Sequence, residues 1–235
     1  MKLFPMGYSD ALIWAVSFLQ EWGIELVHTP EQATHILLPV PSFDISGNIR
    51  GGGKIHDLPK NAVIMGGILN RPELQGYSCI DLLTDELYVT ENAMITAYCA
   101  LKYALEQLTV TPQGCPMLVI GFGRIGKCLA RLLVGLGANV TVAARKPSDL
   151  ALIQALGMGA VSSEKLDGQG YRVIFNTVPA MVLPQGAPGI KIDLASQPGI
   201  GGKDVIIARG LPGKDAPESS GLLIAETVLR LANNP

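Results

Sequence analysis

Six residues, Gly121-Phe122-Gly123-Arg124-Ile125-Gly126, carry the spacing G-x-G-x-x-G, and their flanks decide what they can do. Alone, the triplet is a weak signal. Here Met117-Leu118-Val119-Ile120 reads as a strand in front of it. Behind it, Ile125, Leu129, Leu132, Leu133 and Leu136 make one apolar helical face, ended by Gly137, and Asn139 to Ala143 reads as the next strand. In that setting Gly121 permits a tight turn, Gly123 lets backbone approach a pyrophosphate, and Gly126 lets the helix pack on the strand. The helix N-terminus then offers N–H groups and a positive dipole end to phosphates. The competing reading is a glycine-rich turn without a ligand.

Further candidates stand where strands should end. An acidic residue about twenty positions after the triplet would favour NAD. This chain instead has Arg145 with Lys146, and no carboxylate before Asp149. Arg145 is suited to pair with a 2′-phosphate, which favours NADP; otherwise it is a solvated surface arginine. Phe175-Asn176-Thr177-Val178-Pro179-Ala180 and Asp193-Leu194-Ala195-Ser196 follow apolar runs. Ligands in open α/β sheets bind beyond such carboxyl ends. Asn176, Thr177, Pro179, Asp193 and Ser196 are therefore cofactor-site candidates, although Asp193 could equally cap the following turn. Gly210 to Lys214 is expected as a shaped loop near the same edge.

In the first half, Arg50 and Lys54 flank Gly51-Gly52-Gly53. They are either carboxylate receptors on a mobile loop or the tip of a solvated hairpin. Glu91, near the expected start of a long helix capped by Thr90, is a proton acceptor or a surface charge that offsets the helix dipole. The three histidines, His28, His35 and His56, all precede the glycine motif, which disfavours a hydroxy-acid dehydrogenase with a histidine acid/base beside the nicotinamide. The cysteines, Cys79, Cys99, Cys115 and Cys128, form no C-x-x-C pair, so no metal site is expected and a reducing cytoplasm suits them.

These residues need rigid elements to hold them. Apolar residues make up 48% of the chain, enough for a substantial core, and a net charge of −2 with 6% aromatics leaves no footprint for nucleic acid. No membrane span or leader is expected. Strands are expected at Lys2–Met6, Ile24–Val27, His35–Leu38 and Ala62–Met65, with a helix after Ser9 or Asp10. Alanine-rich spacing from Ala97 to Leu108 marks the long helix, and Thr109 to Pro116 marks a break. Strands are also expected at Val173–Phe175, Ile190–Ile192 and Val205–Ile207, with a closing helix near Asp215. The expected fold is α/β. A smaller amino-terminal α/β domain spans 1–90 and a connecting helix and linker 91–112. A carboxyl-terminal Rossmann-type doubly wound parallel sheet spans 113–235 and binds NADP.

Taken together, Val119 to Gly126, Gly137 to Arg145, Ile174 to Ala180, Ile192 to Gly199 and Gly210 to Lys214, in this order, resemble the A subunit of dipicolinate synthase from spore-forming bacteria. In the first half, Leu38 to Ser42 and Thr90 to Ala93 are the recognisable pieces. The resemblance implies an NADP-dependent oxidation of a dihydrodipicolinate-type intermediate to dipicolinate. It also implies a partner, the B subunit of dipicolinate synthase, and work in the mother-cell cytoplasm. The substrate, a small dicarboxylate, is expected in a cleft between the two domains. Assembly into homo-oligomers stays open. The competing readings are another NADP-dependent dehydrogenase of a small carboxylated substrate and a non-catalytic nucleotide-sensing protein.

Overall fold

Short apolar runs bounded by glycine or proline pair in parallel throughout this chain, whose computed structural model describes residues 1–233. Strands β1 (Lys2–Pro5), β2 (Glu25–Leu26), β3 (His35–Leu37), β4 (Val63–Gly66) and β5 (Ser78–Asp81) form one sheet in the order β2-β1-β3-β4-β5. Helix α1 (Asp10–Glu21) joins β1 to β2. Ser9 caps it, its hydroxyl accepting from the Leu12 N–H at 3.1 Å. Ala11, Leu12, Ala15 and Leu19 form its buried face. The strand order reverses between β1 and β3, so the carboxyl edge there is a topological switch point.

The second sheet contains β6 (Pro116–Ile120), β7 (Asn139–Ala144), β8 (Gly159–Ser162), β9 (Val173–Asn176), β10 (Ile190–Asp193) and β11 (Val205–Ile207). Its order, β11-β10-β9-β6-β7-β8, is the doubly wound order of a dinucleotide-binding sheet. Helix α3 (Arg124–Gly135) packs on β6 and β7, and α4 (Pro147–Ala155) on β7 and β8. The sequence expectations do not include β5, α4 or β8. The connections 177–189 and 194–204 contain no helix. An isolated bridge pairs Leu183 with Ile200, and both join Leu118, Ile120, Ala143 and Ile174 in a buried cluster. Apolar loops thus cover sheet surface that a crossover helix would otherwise cover.

The chain divides differently from expectation. One unit is Met1–Asn92 with the segment from Pro212 onward, and the other is Ala93–Leu211. The division therefore falls inside α2 (Glu86–Gln107), not at Thr109 to Pro116, and the closing helix leaves the carboxyl-terminal domain. That helix, α6 (Pro217–Asn233), packs along α1. Gly221 makes the close approach feasible: a Cβ there would overlap the Trp14 Cβ and lie 2.8 Å from both the Ala11 oxygen and the Ala15 nitrogen. Residues 210–214 are not a loop, because Leu211–Asp215 forms the short helix α5. The closing helix accordingly starts at Pro217 rather than near Asp215.

Helix α2 begins a turn earlier than the sequence suggests. Thr90 lies inside it and donates its hydroxyl to the Glu86 carbonyl at 2.7 Å, so it is no N-cap. Asp85 takes that place, accepting from the Tyr88 N–H at 2.8 Å. Its carboxylate also receives both terminal nitrogens of Arg230 on α6, at 3.1 and 2.6 Å. The Arg230 hydrogen bonds are the main cause that holds the Asp85 carboxyl below its ordinary value. A depressed carboxylate stabilises the fold above its unfolded pKa and loses that contribution as pH falls through the folded one. Asp85→Asn should cost about 1–2 kcal/mol at neutral pH, allowing for partial exposure. Urea unfolding at a series of pH values should show the difference from wild type vanish on acidification below the usual carboxylate range. A difference independent of pH would refute the ionic account.

Candidate functional site

The glycine motif sits where β6 meets α3, at the switch point between β6 and β9. Gly121 adopts φ +102°, where L side chains are strained, and a Cβ would overlap the Thr177 hydroxyl. Thr177 in turn donates to the Ile120 carbonyl at 2.9 Å. At Gly126 a Cβ would overlap the Gly121 carbonyl oxygen, so the first turn of α3 touches the strand end directly. Gly123, the N-cap of α3, differs: its φ is −80°, and a Cβ there would meet nothing within 4 Å. That open side is where a ligand can reach the backbone.

A cavity of about 540 Å³ opens on this motif. It brings together Gly121, Phe122, Gly123, Arg145, Lys146, Thr177 and Pro179 from the sequence candidates. Arg145 and Lys146 follow β7, are exposed, and have no ion-pair partner among the described residues. Asp149, in the first turn of α4, lines the same edge, so the cations there outnumber the carboxylate by one. Phe122 is buried, with the Lys127 ammonium 5.1 Å from its ring centroid. The opposite wall is apolar: Val178, Pro179, Ala180 and Val182. Val178 and Ala180 belong to the segment expected to border the cofactor, whereas sequence reasoning missed Val182 and Ser163. Ser163 follows the unread strand β8, and Val182 lies two residues beyond the chosen segment.

Other candidates lie elsewhere. Asn176 and Asp193 are buried and bond to each other and to loop backbone, so they do not face the cavity. Reading them as direct ligand contacts is thereby corrected: their polar atoms are already engaged. Ser196 is exposed and outside the cavity lining. Arg124 and Ile125 open α3 without lining the cavity.

In the first unit, the Arg50 Nε–H donates to the Phe43 carbonyl at 3.0 Å, and the Arg50 carbonyl accepts from the Tyr8 N–H at 2.8 Å. Arg50 is thus tied to the segment that follows β1. Gly51 and Gly53 have φ of +76° and +93°, and a Cβ on either would press on Tyr8 or Met6. The triple glycine is thus exposed but held at both ends, while a Cβ on Gly52 would meet nothing within 4 Å. Lys54 lines a separate cavity of about 440 Å³ with Asn48, His56, Glu73 and Tyr77. Glu91 is exposed in the second turn of α2, away from its N-terminus, which removes the dipole argument for it. Burial lowers the pKa of His35, whose Nδ1 lies 2.9 Å from the Thr34 hydroxyl. Burial raises the thiols of Cys79, Cys115 and Cys128, so none is a ready nucleophile. Among the described residues there is no group of three metal-ligating side chains and no helix long and apolar enough to cross a membrane.

Strand order and glycine cradle define a two-unit α/β protein whose second sheet is of the Rossmann type. No protein-family model matches the chain. Over 158 residues it is 31% identical to the dipicolinate synthase A subunit of Bacillus subtilis (strain 168), a match covering 60% of this chain and 52% of that protein. By that match the chain spans about half the length of this relative. The crystal structure of the dipicolinate synthase A subunit from Bacillus halodurans superposes with a TM-score of 0.84 at 24% identity, covering 100% of this chain and 98% of that one. A transhydrogenase from Sinorhizobium meliloti shares the fold more loosely, with a TM-score of 0.71, 12% identity and coverage of 98% and 92%. The chain is similar to the A subunit of dipicolinate synthase, in sequence over part of its length and in fold over all of it.

The three glycines should respond differently to a methyl group. Gly123→Ala should change stability by less than about 1 kcal/mol, since the chain-entropy gain of alanine offsets its poorer N-cap preference. Gly126→Ala should cost about 1–3 kcal/mol, because α3 must back away from β6. Thermal unfolding of both variants checks this; equal stability would mean the approach of α3 to β6 is looser than described.

Proposed function

We propose that this chain is a member of the family formed by the A subunits of dipicolinate synthase, and an NADP-dependent oxidoreductase. Its substrate on this reading is a dihydrodipicolinate-type ring dicarboxylate, oxidised to dipicolinate beside a partner chain. The observation that carries the reading is one cavity shared by the glycine cradle, the Arg145–Lys146 edge and an apolar wall. These residues fit the cofactor. The open side of Gly123 and the N–H groups of α3 suit a pyrophosphate. Arg145, with Lys146 beside it, suits a 2′-phosphate through charge-assisted hydrogen bonds. The wall from Val178 to Val182 excludes water from one side. When bound, the nicotinamide group supplies the hydride acceptor, and a ring that becomes aromatic gives up hydride readily. Such a reaction asks the protein mainly for positioning, in keeping with histidines confined to the first half of the chain.

Arg50 is the proposed receptor for a substrate carboxylate. Its Nε is anchored, while its terminal nitrogens have no partner among the described residues, at the switch point of the first sheet. An anchored fork loses little freedom on pairing with a carboxylate. Lys54 is the second proposed cation, from its own cavity. The relatives are named as one lettered subunit of a synthase, which supports a partner chain here. On the same reading the protein works in the mother-cell cytoplasm of a sporulating bacterium.

The direct test mixes the chain with dihydrodipicolinate and NADP, with and without the B subunit of dipicolinate synthase, and follows absorbance of the reduced nicotinamide. Absorbance should rise with NADP; its absence in both mixtures would sink the reading. In calorimetric titration, Arg145→Asp should weaken NADP by about 1–3 kcal/mol and leave NAD little changed. Equal wild-type affinity for the two cofactors would disprove the role of Arg145. Arg50→Ala should raise KM for the dicarboxylate by about tenfold or more, as for a lost charged hydrogen bond, with NADP affinity intact. An unchanged KM would remove Arg50 from the substrate site.

A further inference from the structure

Asp193 ends β10 and is 1% exposed, yet among the described residues no side-chain cation pairs with it. Its carboxylate instead accepts four N–H groups. Oδ1 receives the Asn176 amide at 2.9 Å and the Ala195 N–H at 3.1 Å. Oδ2 receives the Gly199 N–H at 2.7 Å and the Ile200 N–H at 3.2 Å. Asn176, at the end of β9, passes the connection on. Its Nδ2 also donates to the Val178 carbonyl, and its Oδ1 accepts from the Val178 N–H, both at 3.0 Å.

The two helix-free connections therefore meet at one buried pair of side chains. The fit between them is close. A Cβ on Gly199 would overlap the Asn176 amide and lie 2.7 Å from the Ala180 carbonyl. The Val182 N–H donates to the Gly199 carbonyl at 2.8 Å. Val178, Ala180 and Val182 are cavity wall. Any shift of 194–200 must move that wall. A carboxylate accepts at both oxygens; an amide at 193 would aim its own N–H groups at donors.

We infer that Asp193 and Asn176 are positioning residues for the dinucleotide cavity: they set the place of the Val178–Val182 wall without touching the ligand. This rests on the dinucleotide reading of the cavity. The pair does here what a helix terminus does at the other side of the motif: it collects loop N–H groups and fixes a binding wall.

The test uses the full chain, titrated calorimetrically with NADP and with NAD well below the unfolding temperature. Asp193→Asn should raise both dissociation constants by about tenfold or more, leaving their ratio unchanged. Arg145→Asp, by contrast, changes the ratio. Ile174→Val, a core trim in β9, controls for stability: unfolding should come at lower temperature with affinity kept. If Asp193→Asn does not fold, Gly199→Ala and Asn176→Ser carry the test with the same expectation. Folded variants with wild-type affinity would overturn the inference. Wild type that binds neither dinucleotide would overturn the reading of the cavity instead. Amide exchange of Val178–Val182 in the ligand-free chain then decides the positioning role: it should quicken in the variants, and unchanged exchange overturns it.

Discussion

Gly126 lies so close beneath the Gly121 carbonyl that no side chain fits between them. That contact fixes where the N-terminus of α3 points, and with it the direction in which its unpaired N–H groups can be used. The left-handed turn at Gly121 follows from the same approach, since β6 must hand over to α3 within three residues. Thr177 packs against that turn and ties it to β9 through the Ile120 carbonyl. The switch point between β6 and β9 thus becomes a rigid rim with one open side, at Gly123.

The rest of the second unit serves this rim with two unlike devices. On the β7 side, regular crossovers place Arg145 and Lys146 at the head of α4, exposed and available. On the β9 side, helices are missing and a buried carboxylate organises irregular loops. A buried carboxyl group is tolerable there because each of its oxygens meets two N–H donors. Cationic edge and apolar wall face one cavity, the combination that a phosphorylated, partly apolar ligand requires.

Much of this was legible in the sequence. The strand–glycine–helix pattern located the motif, and the apolar spacing of α3 picked out Leu129 and Leu133, which are buried, but also Leu136, which is exposed. Arg145 stood out because a carboxylate was expected in its place. What stayed hidden depended on packing over long sequence distances. The return of α6 to α1 rests on Gly221, whose smallness has no local signature. The tie from Asp85 to Arg230 joins residues remote in sequence. Asn176 and Asp193 stood out as polar residues at strand ends, but their partners, Val178, Gly199 and Ile200, became apparent only in three dimensions. The glycine run at 51–53 read as mobile because composition reports freedom of the backbone, not the approach of Gly51 to Tyr8 and of Gly53 to Met6.

The central claim, that a dinucleotide occupies the cavity at the β6–β9 switch point, is tested most directly by amide hydrogen exchange of the intact chain with and without saturating NADP. The account predicts slowed exchange at Gly121–Lys127 and at Val178–Val182. Protection confined to residues 1–92, or none at all in chain shown to bind NADP, would contradict it.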